Sequence, residues 1–148
     1  MEKTDWGVMT VSKPTNAILL AFAIILSAIG TAHADGELNL ELNKVEPVGK
    51  GCRIFMVFGN KTSAAISSFK PDLVFFDKNG VIADRLVVEG GPLPAGKTRV
   101  KLFDVAGLGC DAIQRILLND IRACSGQAPD ACLAMTRTSS RNRIEFIK

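Results

Sequence analysis

Residues 38–58 read LNLELNKVEPVGKGCRIFMVF, and this stretch predicts the class of the fold. Its first three leucines alternate with asparagine and glutamate, which is the period of a β-strand with one buried face. Gly49-Lys50-Gly51 then turns the chain, and residues 52–58 form an almost continuous apolar run. Two strands separated by a glycine turn are therefore predicted here.

Similar runs continue to the end of the chain, separated by turn signals. Pro71 predicts an edge or a bulge at the start of one strand, and Asp77-Lys78-Asn79-Gly80 has the residues of a tight turn. Strands with turns at this spacing indicate a mainly β fold, an all-β sandwich or barrel. The further predicted strands are residues 73–76, 81–89, 98–104 and 142–148. Five phenylalanines in these runs are predicted core residues: Phe55, Phe58, Phe75, Phe76 and Phe103.

The stretch DAIQRILLNDIRAC, residues 111–124, fits two different structures. Its apolar residues can share one face of a short helix around 111–122, with Asp111 as the N-cap. The same residues suit a strand that would form a hairpin with a return strand through 133–138. We favour the hairpin, and the helix remains the alternative.

The beginning of the chain has the features of a secretion signal. Residues 17–29, AILLAFAIILSAI, are thirteen residues without a charge, fewer than the roughly 20 needed to span a membrane. Ala32 and Ala34 follow at the spacing of small residues that a signal peptidase accepts, which predicts cleavage after Ala34. The predicted organisation is a signal peptide over 1–34 and one domain over 35–148, periplasmic or secreted. An uncleaved membrane anchor is the alternative.

The acidic residues Glu2 and Asp5 do not suit the front of such a signal, so we predict that translation starts at Met9. Cleavage would remove the only tryptophan, Trp6, and the only histidine, His33, and the chain contains no tyrosine. The predicted mature domain therefore lacks the usual ligand for zinc and the aromatic residues that most often line sugar- and peptide-binding surfaces.

All four cysteines lie in the predicted mature domain. An even number of cysteines in a small exported domain predicts two disulfides, because the compartment is oxidising. Four cysteines allow three pairings. The short spacing of Cys124 and Cys132 favours a bridge between them, which leaves Cys52 and Cys110 for the second bridge.

Motifs that suggest catalysis or cofactor binding have simpler explanations. Residues 91–98, GPLPAGKT, match the phosphate-binding pattern Gly-x4-Gly-Lys-Ser/Thr. However, Pro92 and Pro94 remove two of the backbone donors that would cradle a phosphate, and an alternating strand follows instead of a helix. We therefore predict no cofactor, no metal, and neither a nucleotide nor a nucleic acid as partner.

The end of the chain is basic, with Arg137, Arg141, Arg143 and Lys148 against Glu145. These four cations are candidate contacts to an anionic surface of the envelope. The alternative is a solvated strand whose charges block edge pairing.

Motifs across most of the predicted mature domain resemble an uncharacterised group of exported alphaproteobacterial proteins, often labelled "Tat pathway signal sequence domain" proteins. The chain departs from that label because it has no twin arginine in its signal. The resemblance implies no activity and no functional residues. The strand and turn rhythm is also similar to small immunoglobulin-like domains of bacterial envelopes, which implies an immunoglobulin-like β-sandwich. The matching motifs are Lys44-Val45-Glu46-Pro47, Gly51-Cys52-Arg53, Phe75-Phe76-Asp77, Gly80-Val81-Ile82, Leu93-Pro94-Ala95-Gly96-Lys97-Thr98, Lys101-Leu102-Phe103-Asp104, Cys110-Asp111-Ala112-Ile113, Leu118-Asn119-Asp120-Ile121 and Cys124.

The function predicted from the sequence is that of a non-catalytic interaction or structural module of the envelope. Its partner would be another envelope protein or an anionic surface, bound through strand edges or the basic end of the chain. A small hydrolase or thiol enzyme is the alternative, and a membrane-anchored form of the module is a third option.

Overall fold

The computed structural model describes Gly7 and residues 36–148. The predicted signal, with its cleavage residues Ala32 and Ala34, lies outside the described residues. The elements in chain order are β1 (Leu38–Val48), β2 (Gly51–Asn60), β3 (Phe69–Phe76), β4 (Ile82–Val87), β5 (Thr98–Val105), β6 (Arg115–Cys124), α1 (Pro129–Met135), β7 (Thr136–Ser140) and β8 (Glu145–Ile147).

The strands form two four-stranded sheets, which confirms the predicted mainly β sandwich. Sheet 1 has the strand order β5-β2-β1-β7, and sheet 2 has the order β4-β3-β6-β8. Neighbouring strands are antiparallel except for β1 with β7 and β6 with β8. Strands β7 and β8 contact each other, so β5 and β4 are the edge strands on the opposite side of the sandwich.

The core lies between the inner faces of the two sheets. The predicted alternation of β1 is confirmed, because its three leucines Leu38, Leu40 and Leu42 are buried. Phe58 of β2 meets Phe69 of β3 edge to face, with ring centroids 5.9 Å apart. Full burial of a side chain of this size contributes about 1.5–3 kcal/mol, so the interdigitated inner faces hold the sheets together.

Two disulfides are formed, with the pairing that the spacing favours. Cys52 of β2 is bonded to Cys110, at the start of a short 3-10 turn, with 4.8 Å between their Cα atoms. Cys124, the last residue of β6, is bonded to Cys132 of α1, with 6.5 Å between Cα atoms. The first bridge therefore joins sheet 1 to the segment that leads into sheet 2, and the second fixes a helix to a strand end.

The predicted helix around 111–122 is wrong. Only Cys110–Ala112 is helical there, and the strand β6 follows. A bulge explains the helix-like spacing, because the register with β3 shifts between Leu118 and Asp120. The extra residue lets Leu118 and Ile121, three positions apart, both face the core.

The predicted hairpin is also wrong beyond its first strand. The helix α1 follows the loop after Cys124, and Pro129 is its first residue, where a missing backbone N–H costs nothing. The next strand, β7, pairs with β1 in sheet 1 instead of with β6. The bridge from Cys124 to Cys132 thus closes a strand-to-helix connection.

Pro71 lies in the interior strand β3, where the register with β6 shifts between Lys70 and Pro71. Of the two predicted settings for this proline, the bulge is therefore the one observed. A bulge suits proline because it lacks the backbone N–H that a regular ladder would require.

Candidate functional site

An apolar patch lies on the outer face of sheet 1, and we call it the sheet 1 patch. Phe55 and Val57 of β2 are opposite Leu102 and Val100 of β5, respectively. The two β5 side chains are 59% and 65% exposed, in that order, and the two β2 side chains are partly buried beneath the same face. Four apolar side chains on adjacent strands thus form a continuous outward surface.

The alternation of each strand explains why these residues point outward. Ile54, Met56 and Phe58 occupy the inner positions of β2 and are buried. Side chains alternate between faces along a strand, so Phe55 and Val57 must take the outer positions. The prediction that Phe55 is a core residue is therefore wrong, and the parity of the run CRIFMVF was the signal that indicated the correct side.

Polar and charged residues surround the patch. The Lys44 ammonium lies 5.1 Å from the centroid of the Phe55 ring. Arg53 donates two hydrogen bonds to the carboxylate of Asp104, with Nε to Oδ1 at 2.8 Å and Nη2 to Oδ2 at 2.9 Å. These bonds from Arg53 lower the pKa of Asp104, so the carboxylate stays charged. An apolar centre with a charged rim is the usual layout of a protein interface.

The patch ends at the open edge of sheet 1, because β5 has a neighbour on one side only. The N–H of Asn60 donates to the carbonyl of Lys97 at 2.9 Å, which makes these two residues a hydrogen-bonded pair. Hydrogen-bonded and non-bonded pairs alternate along an antiparallel ladder. Val100 and Leu102 therefore direct their backbone N–H and C=O groups away from β2, toward the open edge.

Three cations lie on the other side of the same strand. Lys97, Arg99 and Lys101 alternate with the outward residues, so they share the inner side of sheet 1 at its rim. None of the three has an ion pair or a side-chain hydrogen bond with any of residues 36–148. The hydrogen bond from Lys70 has the largest part in lowering the pKa of Glu89, and the charge of Lys101 adds a smaller effect. Most other basic residues in this part of the chain are paired with a carboxylate.

The four basic residues predicted to contact an anionic surface all have partners within the molecule. Arg137 donates to the carbonyl of Ala134 at 3.3 Å and has Nε 4.0 Å from Glu37. Arg141 donates to Glu41 at 2.9 Å, and Arg143 pairs with Asp111.

Lys148 donates to three carbonyls, those of Leu133, Ala134 and Thr136, two of which belong to the last turn of α1. Arg137 and Lys148 thus share the carbonyl of Ala134, and Arg141 and Arg143 are paired with carboxylates. All four cations are engaged within the molecule, whereas Lys97, Arg99 and Lys101 are not.

A buried carboxylate that was not predicted from the sequence lies on sheet 2. The side chain of Asp72 is fully buried. Arg85 Nε donates to its Oδ1 at 2.9 Å, and Arg122 Nη2 lies 2.7 Å from its Oδ2. The hydrogen bond from Arg85, with the one from Arg122, lowers the pKa of Asp72 to about 2 although burial acts in the opposite direction. Because both guanidinium groups are committed to this carboxylate, the cluster connects β3, β4 and β6.

An open groove of about 800 Å³ lies beside the start of β1 and α1. Its polar lining consists of Glu37, Lys61 and Arg137, and Lys61 donates to Glu37 at 2.9 Å. All four cysteines are in disulfides. Within residues 36–148 no cluster of three or more histidine, cysteine or acidic side chains has the arrangement of a metal site.

Comparison of the chain with protein-family models, with curated proteins and with solved structures found no match. No helix in the described part of the chain is long and apolar enough to cross a membrane. The resemblance to exported alphaproteobacterial proteins and to immunoglobulin-like domains therefore stays a prediction.

Proposed function

We propose that this protein is a non-catalytic interaction module of the bacterial envelope, and that it binds another envelope protein through the sheet 1 patch. The observation that carries this proposal is the exposure of Val100 and Leu102 beside Phe55 and Val57 on one sheet face. Large contiguous apolar patches on a protein surface often mark interaction sites. Covering such surface gains about 25 cal/mol for each Å² removed from water.

Two features of an exported protein support a location in the envelope. The apolar segment before Ala32 and Ala34 has the features of a secretion signal, and two disulfides are typical of an oxidising compartment. In this proposal the mature protein works in the periplasm or after secretion. Because every cysteine is bridged, the thiol-enzyme alternative gains no support from the structure.

The test is site-specific photocrosslinking in the cells that make the protein. A photoreactive amino acid at Leu102 is expected to give one discrete adduct with another envelope protein. The matched control is Ile82, which is 63% exposed but lies on β4, at the edge of sheet 2. The adduct at Leu102 should disappear when Val57→Glu places a charge in the patch.

The proposal would be contradicted by the same adducts at Leu102 and Ile82, by no adduct at Leu102, or by an adduct that Val57→Glu leaves unchanged. An adduct of twice the protein's own mass at Leu102 would also contradict it, because the patch would then join two copies of this chain.

A further inference from the structure

The open edge of sheet 1 offers a second set of contacts beside the patch. The backbone groups of Val100 and Leu102 face the edge, as the hydrogen bond from Asn60 to Lys97 establishes for this ladder. A partner in extended conformation could pair with these groups and add a fifth strand to the sheet. Recognition of this kind gains affinity from main-chain hydrogen bonds and specificity from alternate side chains.

The side chains of β5 specify what such a strand would carry. On the outer face, a new strand would lie against Val100 and Leu102, which favours apolar residues there. On the inner side it would lie against Arg99 and Lys101, which are unpaired within residues 36–148. Opposite charges directly across a strand pair stabilise it, and like charges destabilise it.

Natural edge strands often carry inward-pointing charges that block unwanted pairing. Here the charges are all positive and occupy consecutive inward positions, at Lys97, Arg99 and Lys101. A row of one sign blocks a neutral or basic strand but attracts an acidic one. The edge is therefore selective, because it excludes most extended segments and admits those with acidic residues at every second position.

A second copy of this chain fits the edge poorly. Antiparallel pairing that matches Val100 with Leu102 of the other copy would place the two Lys101 side chains directly opposite each other. Antiparallel pairing of Leu102 with Leu102 of the other copy would instead place Val100 of one copy opposite Asp104 of the other. Both arrangements lose either charge or apolar complementarity, so the occupant is a different chain.

We infer that β5 binds an extended segment of another protein that alternates apolar and acidic residues and pairs antiparallel with the strand edge. This inference rests on the proposed function, because it names the class of partner that the sheet 1 patch and its edge receive. The apolar residues of that segment extend the patch, and its carboxylates meet Arg99 and Lys101.

The first experiment measures binding of a dye-labelled, end-capped peptide of ten residues, alternating glutamate and valine, to the oxidised protein purified from the periplasm. Fluorescence anisotropy at low salt is expected to show saturable binding that weakens as salt screens the charges. The same peptide with lysine in place of glutamate should not bind. Absence of binding by the glutamate peptide, or equal binding of both peptides, would overturn the inference.

Charge-removal variants locate the binding site. The double variant Arg99→Gln with Lys101→Gln is expected to weaken glutamate-peptide binding about tenfold. The reason is that each exposed ion pair raises the affinity by roughly threefold to fivefold. The matched control is Lys50→Gln with Lys78→Gln, which removes the same charge from lysines that are also unpaired within residues 36–148. The control should change affinity less than about twofold, and equal losses in both variants would place the peptide elsewhere.

Backbone methylation tests the edge pairing itself. In an antiparallel pair the valine N–H groups of the peptide face β5 and the glutamate N–H groups face away. A peptide N-methylated at its valines should lose binding, whereas one N-methylated at its glutamates should keep it. Equal affinity of the two methylated peptides would show that no strand pairing occurs. If neither unmethylated peptide binds while the Leu102 crosslink persists, this inference fails and the proposed function stands.

Discussion

A single buried carboxylate connects three strands of sheet 2. Asp72 of β3 accepts hydrogen bonds from Arg85 of β4 and Arg122 of β6. It also lies opposite Asp120 in the ladder, and Arg122 bridges the two carboxylates, since its Nη1 is 3.3 Å from Asp120. The two arginine side chains are about half exposed, at 50% and 48%, so solvent screens part of the interaction.

The first prediction concerns Asp72→Asn, which keeps the shape of the side chain but removes its charge. The variant offers the two guanidinium groups one neutral amide oxygen in place of their shared carboxylate, so it should lower the free energy of unfolding by about 2 kcal/mol, below the value for a fully buried pair because the arginines are screened. Urea unfolding measures the loss. Asp104→Asn is the matched control, because it breaks an exposed pair with Arg53 and should have a much smaller effect. Equal losses would contradict the special role of the buried carboxylate.

The second prediction is the pH dependence of the same group. The pKa of Asp72 is lowered from 3.8 to about 2, so the folded state binds its proton less readily than the unfolded state. The contribution of ionised Asp72 to the free energy of unfolding is therefore complete above about pH 4 and is lost as the pH falls toward 2. The stability difference between the native protein and Asp72→Asn should shrink over that range. A difference that stays constant from pH 5 to 2, measured by urea unfolding, would contradict the lowered pKa.

Phe55 shows why single residues of the sheet 1 patch are harder to predict than the fold. In the run CRIFMVF every residue except Arg53 is apolar, so the only signal for the outer face is that Arg53 shares its parity with Phe55 and Val57. The partner sheet covers the opposite parity, which places Ile54 and Phe58 inside and Phe55 outside. The unpaired state of Arg99 and Lys101 depends likewise on where the carboxylates lie, which composition does not reveal.

At the scale of elements, local patterns predicted the strands well and the connections poorly. The alternation of β1, the glycine turn before β2 and the turn at residues 77–80 follow from short-range preferences, and the structure has them. The bulge in β6 changes the period locally and so imitates a helix. The destination of β7 depends on pairing with β1, almost 100 residues earlier, which no local pattern encodes.

The helix α1 leads to the third prediction. Its seven residues are too few for a helix that is stable by itself, so the bridge to Cys124 and the bonds from Lys148 must hold it. The double variant Cys124→Ser with Cys132→Ser should expose the amides of α1 to hydrogen exchange while those of β2 and β3 stay protected. Exchange followed by mass spectrometry measures this, and unchanged protection of α1 would contradict the role of the bridge.

At the scale of the whole molecule, the two disulfides differ in how much chain they enclose. The Cys52–Cys110 bridge has a sequence separation of 58, against 8 for Cys124–Cys132. In the chain-entropy account, the first contributes about 4 kcal/mol and the second about 2.5 kcal/mol. The longer loop also contains β3, β4 and β5, so the first bridge restricts strands of both sheets in the unfolded chain.

The last prediction follows from that difference. A domain of this size is stable by about 5–15 kcal/mol in total, so the Cys52–Cys110 bridge supplies a large fraction of it. Cys52→Ser with Cys110→Ser should lower the thermal midpoint by about 10 °C or more, because the unfolded chain regains freedom and a fully buried site in β2 is disturbed. Calorimetry of the oxidised protein measures the shift of the thermal midpoint. The matched control is the double variant Cys124→Ser with Cys132→Ser. A larger shift in that second variant, or a melting temperature that strong reductant leaves unchanged, would contradict the assignment of global stability to the Cys52–Cys110 bridge.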